Sequence, residues 1–273
     1  GGEKDAEQSQ SNPYGTYGGN TPCVELKPKA GGVILLDCGT GLRDYALYGE
    51  QPEDNHYSIF LSHFHWDHIQ GFPFFGPSFN PKTRIDLYST DPSTLEFFER
   101  QSSTPFFPPN GCWNSVKNQI TFHLLKEGQD MELYGLKIRC HKMTHPGEST
   151  SFSFEEDNKK FIYCTDAELQ ESDFDKAIER NYFFQDADML VLDSQYTNPE
   201  AAKKVNWGHN SVSRSIDFAA NWGVSRLFFF HHEPAYTDKK LDDLYSAGLN
   251  YVKYHGSENL KLYMSREGQV IDL

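Results

Sequence analysis

The 273-residue chain is poor in cysteine, short of cations for its acids, and without a long apolar run. Its five cysteines (Cys23, Cys38, Cys112, Cys140, Cys164) include no Cys-x-x-Cys pair, and an odd number cannot pair off within one chain. Reduced thiols and a cytoplasmic protein are the expectation. No stretch nears the roughly 20 apolar residues of a membrane-spanning helix, and no basic start runs into an apolar core, so neither a span nor a signal peptide is expected. Lys and Arg total 25 against 39 Asp and Glu, a formal net charge of -14. That balance argues against a broad nucleic-acid surface, which needs cations to neutralise phosphates, and leaves room for a local basic groove. No Gly-x-Ser-x-Gly segment supplies a serine nucleophile. Repeats, heptads and long linkers are missing as well. The chain begins Gly1-Gly2 and continues polar to Asn12, which predicts a disordered or trimmed segment over 1–13 and one domain over 14–273.

What is present reads as strands interrupted by amphipathic helices, the pattern of a layered α/β domain. Cys23–Leu26 and Gly32–Asp37 predict a hairpin, with a short helix after Gly41 and a buried strand at Tyr57–Leu61. Further strands are expected at Arg84–Tyr88, Gln119–Leu124, Met131–Met143, Thr150–Phe154, Lys160–Cys164, Met189–Asp193, Arg226–Phe230 and Leu260–Met264. Helices are expected at Ser93–Arg100, Ser172–Arg180, Val212–Trp222 and Asp238–Ala247. Between Ser102 and Pro109 the run Ser-Ser-Thr-Pro-Phe-Phe-Pro-Pro reads as a loop whose aromatics either cover a site or simply pack.

The strand at Tyr57–Leu61 delivers the chain into Ser62-His63-Phe64-His65-Trp66-Asp67-His68. Histidines at i and i+2 of extended chain project to one side, and an Asp and a His follow within the next turn. A lone His is usually a core residue, but four ligand-type side chains within six residues point to a metal. Imidazole and carboxylate without thiolate suit zinc, manganese or iron.

With that cluster the sequence resembles the metallo-β-lactamase superfamily, whose hallmark is His-x-His-x-Asp-His at a strand end, matched here at His63, His65, Asp67 and His68. The later ligands of the family have counterparts in order: His145 in Thr-His-Pro-Gly, Asp166 in Tyr-Cys-Thr-Asp-Ala-Glu, and His231 in Phe-Phe-His-His-Glu-Pro. By resemblance, His63, His65 and His145 would hold one metal and Asp67, His68 and His231 the other, with Asp166 bridging. Of the neighbours His231 and His232, the first after the strand is preferred. Tyr17-Gly18-Gly19-Asn20-Thr21-Pro22-Cys23 and Leu36-Asp37-Cys38-Gly39-Thr40-Gly41 are similar to the opening of phosphodiesterase-like members, without the apolar strand that usually precedes it. The fold so implied is a four-layer αββα sandwich of two mixed β-sheets flanked by helices, its first edge strand not visible here. Asp37, at a strand end, either orients a ligand imidazole or caps the turn before Gly39.

Two divalent ions, zinc foremost and manganese or iron as alternatives, would supply a metal-bound hydroxide as nucleophile. His209 in Trp-Gly-His-Asn-Ser resembles the His that the tRNase Z group pairs with a strand-end carboxylate, here Asp193. Asp193 and His209 form the expected proton-donor pair and are named with Asp67 as catalytic. The expected substrate is a small or single-stranded phosphodiester such as a cyclic nucleotide, and the partner is that substrate alone, with no membrane. A homodimer is compatible with all of this. The competing chemistries are lactam, lactone or thioester hydrolysis, or an iron-dependent oxidoreductase at the same ligands. His56, His123, His141 and His255 lie outside the pattern, and His141 shares a strand face with His145.

Overall fold

The computed structural model describes residues 15–108, 112–257 and 259–273, with only the backbone of Cys112. The expected disordered or trimmed segment, and any strand ahead of the Gly-Gly-Asn-Thr turn, lie outside the described residues. The described residues form two compact units, one within Asn20–Cys140 and the other of residues 15–19 together with those of His141–Leu273.

In the first unit, β1 (Val24–Leu26) and β2 (Ile34–Leu36) pair antiparallel, and the turn between them closes through Gly31 N–H to the Pro28 carbonyl. Helix α1 (Gly41–Tyr48) leads to β3 (His56–Phe60), a strand buried on both faces, as an interior parallel strand should be. The four-residue helix α2 (Trp66–Ile69) follows, then β4 (Arg84–Ser89), α3 (Thr94–Gln101), α4 (Cys112–Val116) and β5 (Ile120–Leu124). The strands form a five-stranded mixed sheet in the order β1-β2-β3-β4-β5, parallel from β2 onward. Its core holds Leu35, Tyr57, Ile59, Leu87, Phe72 and Phe98.

The run Met131–Met143, expected as one strand, is two. β6 (Met131–Leu133) and β7 (Leu136–Met143) are an antiparallel hairpin, because Tyr134 and Gly135 both adopt positive φ, the backbone of a tight turn. β8 (Ser149–Glu156), β9 (Lys159–Cys164) and β10 (Met189–Asp193) follow. After them come α5 (Asn198–Ala201), α6 (Val212–Asn221), β11 (Arg226–Phe230), α7 (Asp238–Tyr254) and β12 (Lys261–Met264). The second sheet is also mixed and runs β12-β11-β10-β9-β8-β7-β6, with β9 to β12 parallel. Leu190, Leu192, Ile216, Phe218, Trp222 and Phe229 are in the core of the second unit.

The helix expected at Ser172–Arg180 is replaced by two 3₁₀ segments, Glu171–Phe174 and Glu179–Phe184. Asn181 donates to the carbonyls of Ser172 and Asp175, and the Trp222 indole donates to that of Asp173, so side chains take the acceptors a continuous helix would need. Helix α7 runs seven residues past the expected end at Ala247. The helix continues through Gly248, where a Cβ would stand in van der Waals contact with Leu262 and Phe229 at 3.4 Å.

Asp86 on β4 ties three strands together, accepting from His56 Nε2 on β3 at 2.5 Å and His123 Nε2 on β5 at 2.7 Å. Burial pushes its carboxyl up, but the two imidazole bonds outweigh it and hold the group below its usual range. A depressed carboxyl stabilises the fold fully above its unfolded value, about 3.9, and that contribution is lost as pH falls through the lower folded one. Asp86→Asn should therefore cost about 1–2 kcal/mol at pH 7, with the gap from the wild type narrowing below about pH 3.9. Urea denaturation across that range checks this, and a gap independent of pH contradicts it.

Candidate metal centre

The first unit supplies the cluster that follows β3. Leu61, Ser62 and His63 are buried, while His65, which precedes α2, is exposed. The ring of His63 lies 4.6 Å from that of His65 and 4.2 Å from that of His68. Asp37, fully buried at the end of β2, organises the cluster. Its Oδ1 accepts from the Ser62 N–H at 2.7 Å. Its Oδ2 accepts from Ser62 Oγ and from His68 Nδ1, each at 2.8 Å. His63 Nδ1 in turn donates to Ser62 Oγ at 3.0 Å. Of the two readings open for Asp37, the structure shows the orienting one. With Nδ1 so engaged, His68 turns Nε2 toward Asp67, 3.2 Å from its Oδ2.

The loops that flank α2 explain the Gly-Asn-Thr-Pro-Cys and Asp-Cys-Gly-Thr-Gly segments. Thr21 and Thr40 each donate a backbone N–H to the other's hydroxyl, at 2.8 and 2.7 Å. Cys38 N–H donates to the His68 carbonyl at 2.7 Å, pinning α2 to the end of β2. A Cβ on Gly39 would stand 2.4 Å from the Asp67 carbonyl, and one on Gly71 would stand 1.9 Å from the Gly39 carbonyl. These glycines let the backbone that carries Asp67 and His68 close down.

The second unit places His145, Asp166, Asp193, His209 and His231 at strand ends or in the loops beyond them. His145, just past β7, donates from Nδ1 to the Gly208 carbonyl at 3.1 Å and presents Nε2 3.7 Å from Asp166 Oδ1. His231, just past β11, brings Nε2 to 3.4 Å from Asp166 Oδ2, with the Gln195 amide 3.2 Å from its Nδ1. His209 Nδ1 donates to Asp193 Oδ2 at 2.6 Å and stands 4.0 Å from Asp166. Asp166, Asp193, His209 and His231 each offer a donor atom within 4.8 Å of one another. His232 points elsewhere, its Nε2 donating to the Ser265 carbonyl at 2.9 Å while burial holds the ring below its usual range.

Several supporting residues were not singled out from sequence. Glu168 accepts the N–H groups of Asn206 and Gly208 at 2.9 and 2.8 Å, shaping the loop that meets His145. Gly208 is irreplaceable there, since a Cβ would stand 1.9 Å from His145 Nδ1. Asn210 donates its N–H to Asp193 Oδ1 at 3.0 Å, next to the His209 bond. Glu168, two residues after Asp166, and Asn210, directly after His209, were the available signals. His141 is packing: its ring lies 5.2 Å from Phe183 and 5.5 Å from Phe184. His255 stacks on Tyr251, and His56 and His123 serve Asp86.

His231 turns Nε2 toward Asp166 while the Gln195 amide donates to its Nδ1, whereas His68 and His145 donate from Nδ1 and turn Nε2 toward a carboxylate. That is the disposition of imidazoles that bind a cation through one nitrogen and are held by the other. Nitrogen and oxygen donors without thiolate fit zinc, manganese or iron.

A family model described as the beta-lactamase superfamily domain matches residues 33–232. Ribonuclease Z from Bradyrhizobium diazoefficiens is 23% identical over 276 residues, covering 81% of this chain and 87% of that protein. The metallo-beta-lactamase fold protein YhfI from Bacillus subtilis superposes with a TM-score of 0.68 at 16% identity, over 91% of this chain and 90% of that one. A diphosphatase from the PhnP family superposes at 0.64 and 18% identity, over 93% and 84%. The two mixed sheets flanked by helices are the fold these structures share.

Asp37→Asn keeps the shape of the side chain but removes the charge that holds His68 and Ser62. Zinc affinity, titrated against a competing chelator, should fall about 10- to 100-fold. An unchanged affinity contradicts the orienting role of Asp37.

Proposed function

Because the chain belongs to the metallo-β-lactamase superfamily, in its ribonuclease Z- and phosphodiesterase-like branch, we propose that this metallo-hydrolase cleaves phosphodiesters, with both units acting as one metallo-hydrolase domain. His63, His65 and His145 would hold one divalent ion and Asp67, His68 and His231 another, with Asp166 shared and zinc the favoured metal. Ions bound there would supply an activated water and neutralise charge on the phosphoryl group.

The observation that carries the phosphodiester reading is the 2.6 Å bond from His209 Nδ1 to Asp193. Hydrolysis of a diester expels an alkoxide, a poor leaving group, and a positioned acid accelerates such a step by roughly 10² to 10⁴. Asp193 fixes the imidazole by Nδ1, so Nε2 is the nitrogen that carries a proton to the departing oxygen. The Asn210 N–H on the other oxygen of Asp193 keeps that carboxylate from turning away. Thioester cleavage, which expels a thiolate, has less need of this acid.

For the substrate we favour a small or single-stranded phosphodiester such as a cyclic nucleotide. The relative's name assigns it RNA, but a net charge of -14 suits a substrate with few phosphates to neutralise. No helix among the described residues is long and apolar enough to cross a membrane. Cytoplasmic residence is the reading consistent with Cys23, Cys38 and Cys164 being outside any disulfide.

The zinc-loaded protein should turn over bis(p-nitrophenyl) phosphate, and no turnover with zinc, manganese or iron would contradict phosphodiester hydrolysis. On this account His209→Ala loses roughly 10²-fold or more on a diester with an alkyl leaving group, and much less on the p-nitrophenyl ester, whose leaving group needs no proton. Equal losses on the two would remove the acid role.

A further inference from the structure

Three aromatic rings that folding would ordinarily bury stand in water next to the His63–His68 cluster. Trp66 is 61% exposed, Phe106 67% and Phe74 60%. Trp66 opens α2 with a proposed ligand on either side, His65 before it and Asp67 after. Its ring meets that of Phe106 edge-on, with centroids 6.2 Å apart and planes at 65°. Phe107, the next residue, packs against the core of the same unit and approaches Phe74 with centroids 6.1 Å apart. The 106–107 dipeptide thus links both outer rings to the core while Trp66, Phe106 and Phe74 stay more than half exposed. Scattered exposed apolar residues are ordinary, but a group of aromatic rings beside a site marks a surface that a ligand covers.

We propose that Trp66 and Phe106, with Phe74 at the margin, form a stacking subsite for the nucleobase of the phosphodiester, an inference that rests on the proposed function. Ligand candidates flank Trp66 in the chain, so a group stacking on its ring belongs to the same small molecule as the phosphate those ligands address. A nucleobase offers a flat π face of matching size. Stacking needs no cation, which gives an acidic protein a source of affinity for an anionic substrate that Lys and Arg do not supply. The Ser102–Pro108 loop, which sequence left as either cover or packing, divides these roles between neighbours, with Phe107 packed and Phe106 presented.

The test compares two p-nitrophenyl diesters that differ only in the second alcohol, thymidine 5′-(p-nitrophenyl phosphate) and methyl p-nitrophenyl phosphate, on the full zinc-loaded chain. The wild type should prefer the nucleoside ester in kcat/KM. Trp66→Leu and Phe106→Leu keep apolar bulk without a π face, and each should shrink that preference about five- to hundredfold. A preference within twofold of the wild type in both variants, or equal losses on both esters, would overturn the subsite. If the wild type cleaves neither ester, phosphodiester hydrolysis fails, and the subsite is judged by binding alone. Quenching of tryptophan fluorescence by 5′-AMP that disappears in Trp66→Leu then sustains it, while no quenching, or quenching that survives the substitution, overturns it.

Discussion

A carboxylate taken out of water must be given hydrogen-bond donors or it will not stay charged there. In each unit a fully buried carboxylate at a strand end meets this requirement by recruiting a histidine ring. Asp37, at the end of β2, holds His68 and Ser62, and through Ser62 it holds His63. Asp193, at the end of β10, holds His209 and the backbone of Asn210. Both carboxylates are fully buried, so the donors around them cannot be exchanged for water, and the imidazoles are fixed by Nδ1. Their remaining nitrogens are then oriented before any metal or substrate arrives, which lowers the cost of binding either.

The backbone is bent to the same end. Asp37, Asp166 and His231 all adopt positive φ, at 64°, 49° and 59°, a conformation that costs a side-chain-bearing residue free energy and is found where surrounding structure enforces it. Each turns the chain sharply at or near the end of a strand, and each side chain belongs to the proposed centre. Gly39, Gly71 and Gly208 do the complementary work, letting backbone approach where a Cβ would collide with the Asp67 carbonyl, the Gly39 carbonyl or the His145 ring.

Much of this was legible in the sequence, for identifiable reasons. β10 runs through four apolar residues before it ends on Asp193, and β3 delivers Ile59, Phe60 and Leu61 into a segment where His63, His65, Asp67 and His68 are polar types that an apolar run would not meet by chance. Local pattern was weaker where tertiary contacts decide. Nothing in Met131–Met143 breaks the strand pattern except Tyr134-Gly135, and both those residues turn. Ser172–Arg180 has helical spacing, yet Asn181 and Trp222 claim its carbonyls from a distance in sequence. The helix expected to end at Ala247 continues through Gly248 to Tyr254. The partners of Asp37 and Gly208 were illegible for the same reason, since a hydrogen bond between residues 31 apart, or a Cβ that must be missing opposite a ring 63 residues away, leaves no local signal.

The cluster after β3, the loops that pin it and the buried carboxylates of the two units have one purpose on this account, to hold two divalent ions with part of each coordination sphere left open. Anomalous diffraction at the zinc edge from zinc-loaded crystals measures that directly. The account predicts two peaks per chain, one bounded by His63, His65 and His145 and the other by Asp67, His68 and His231, with Asp166 reaching both. No peak at these residues, or zinc held only elsewhere, would contradict it.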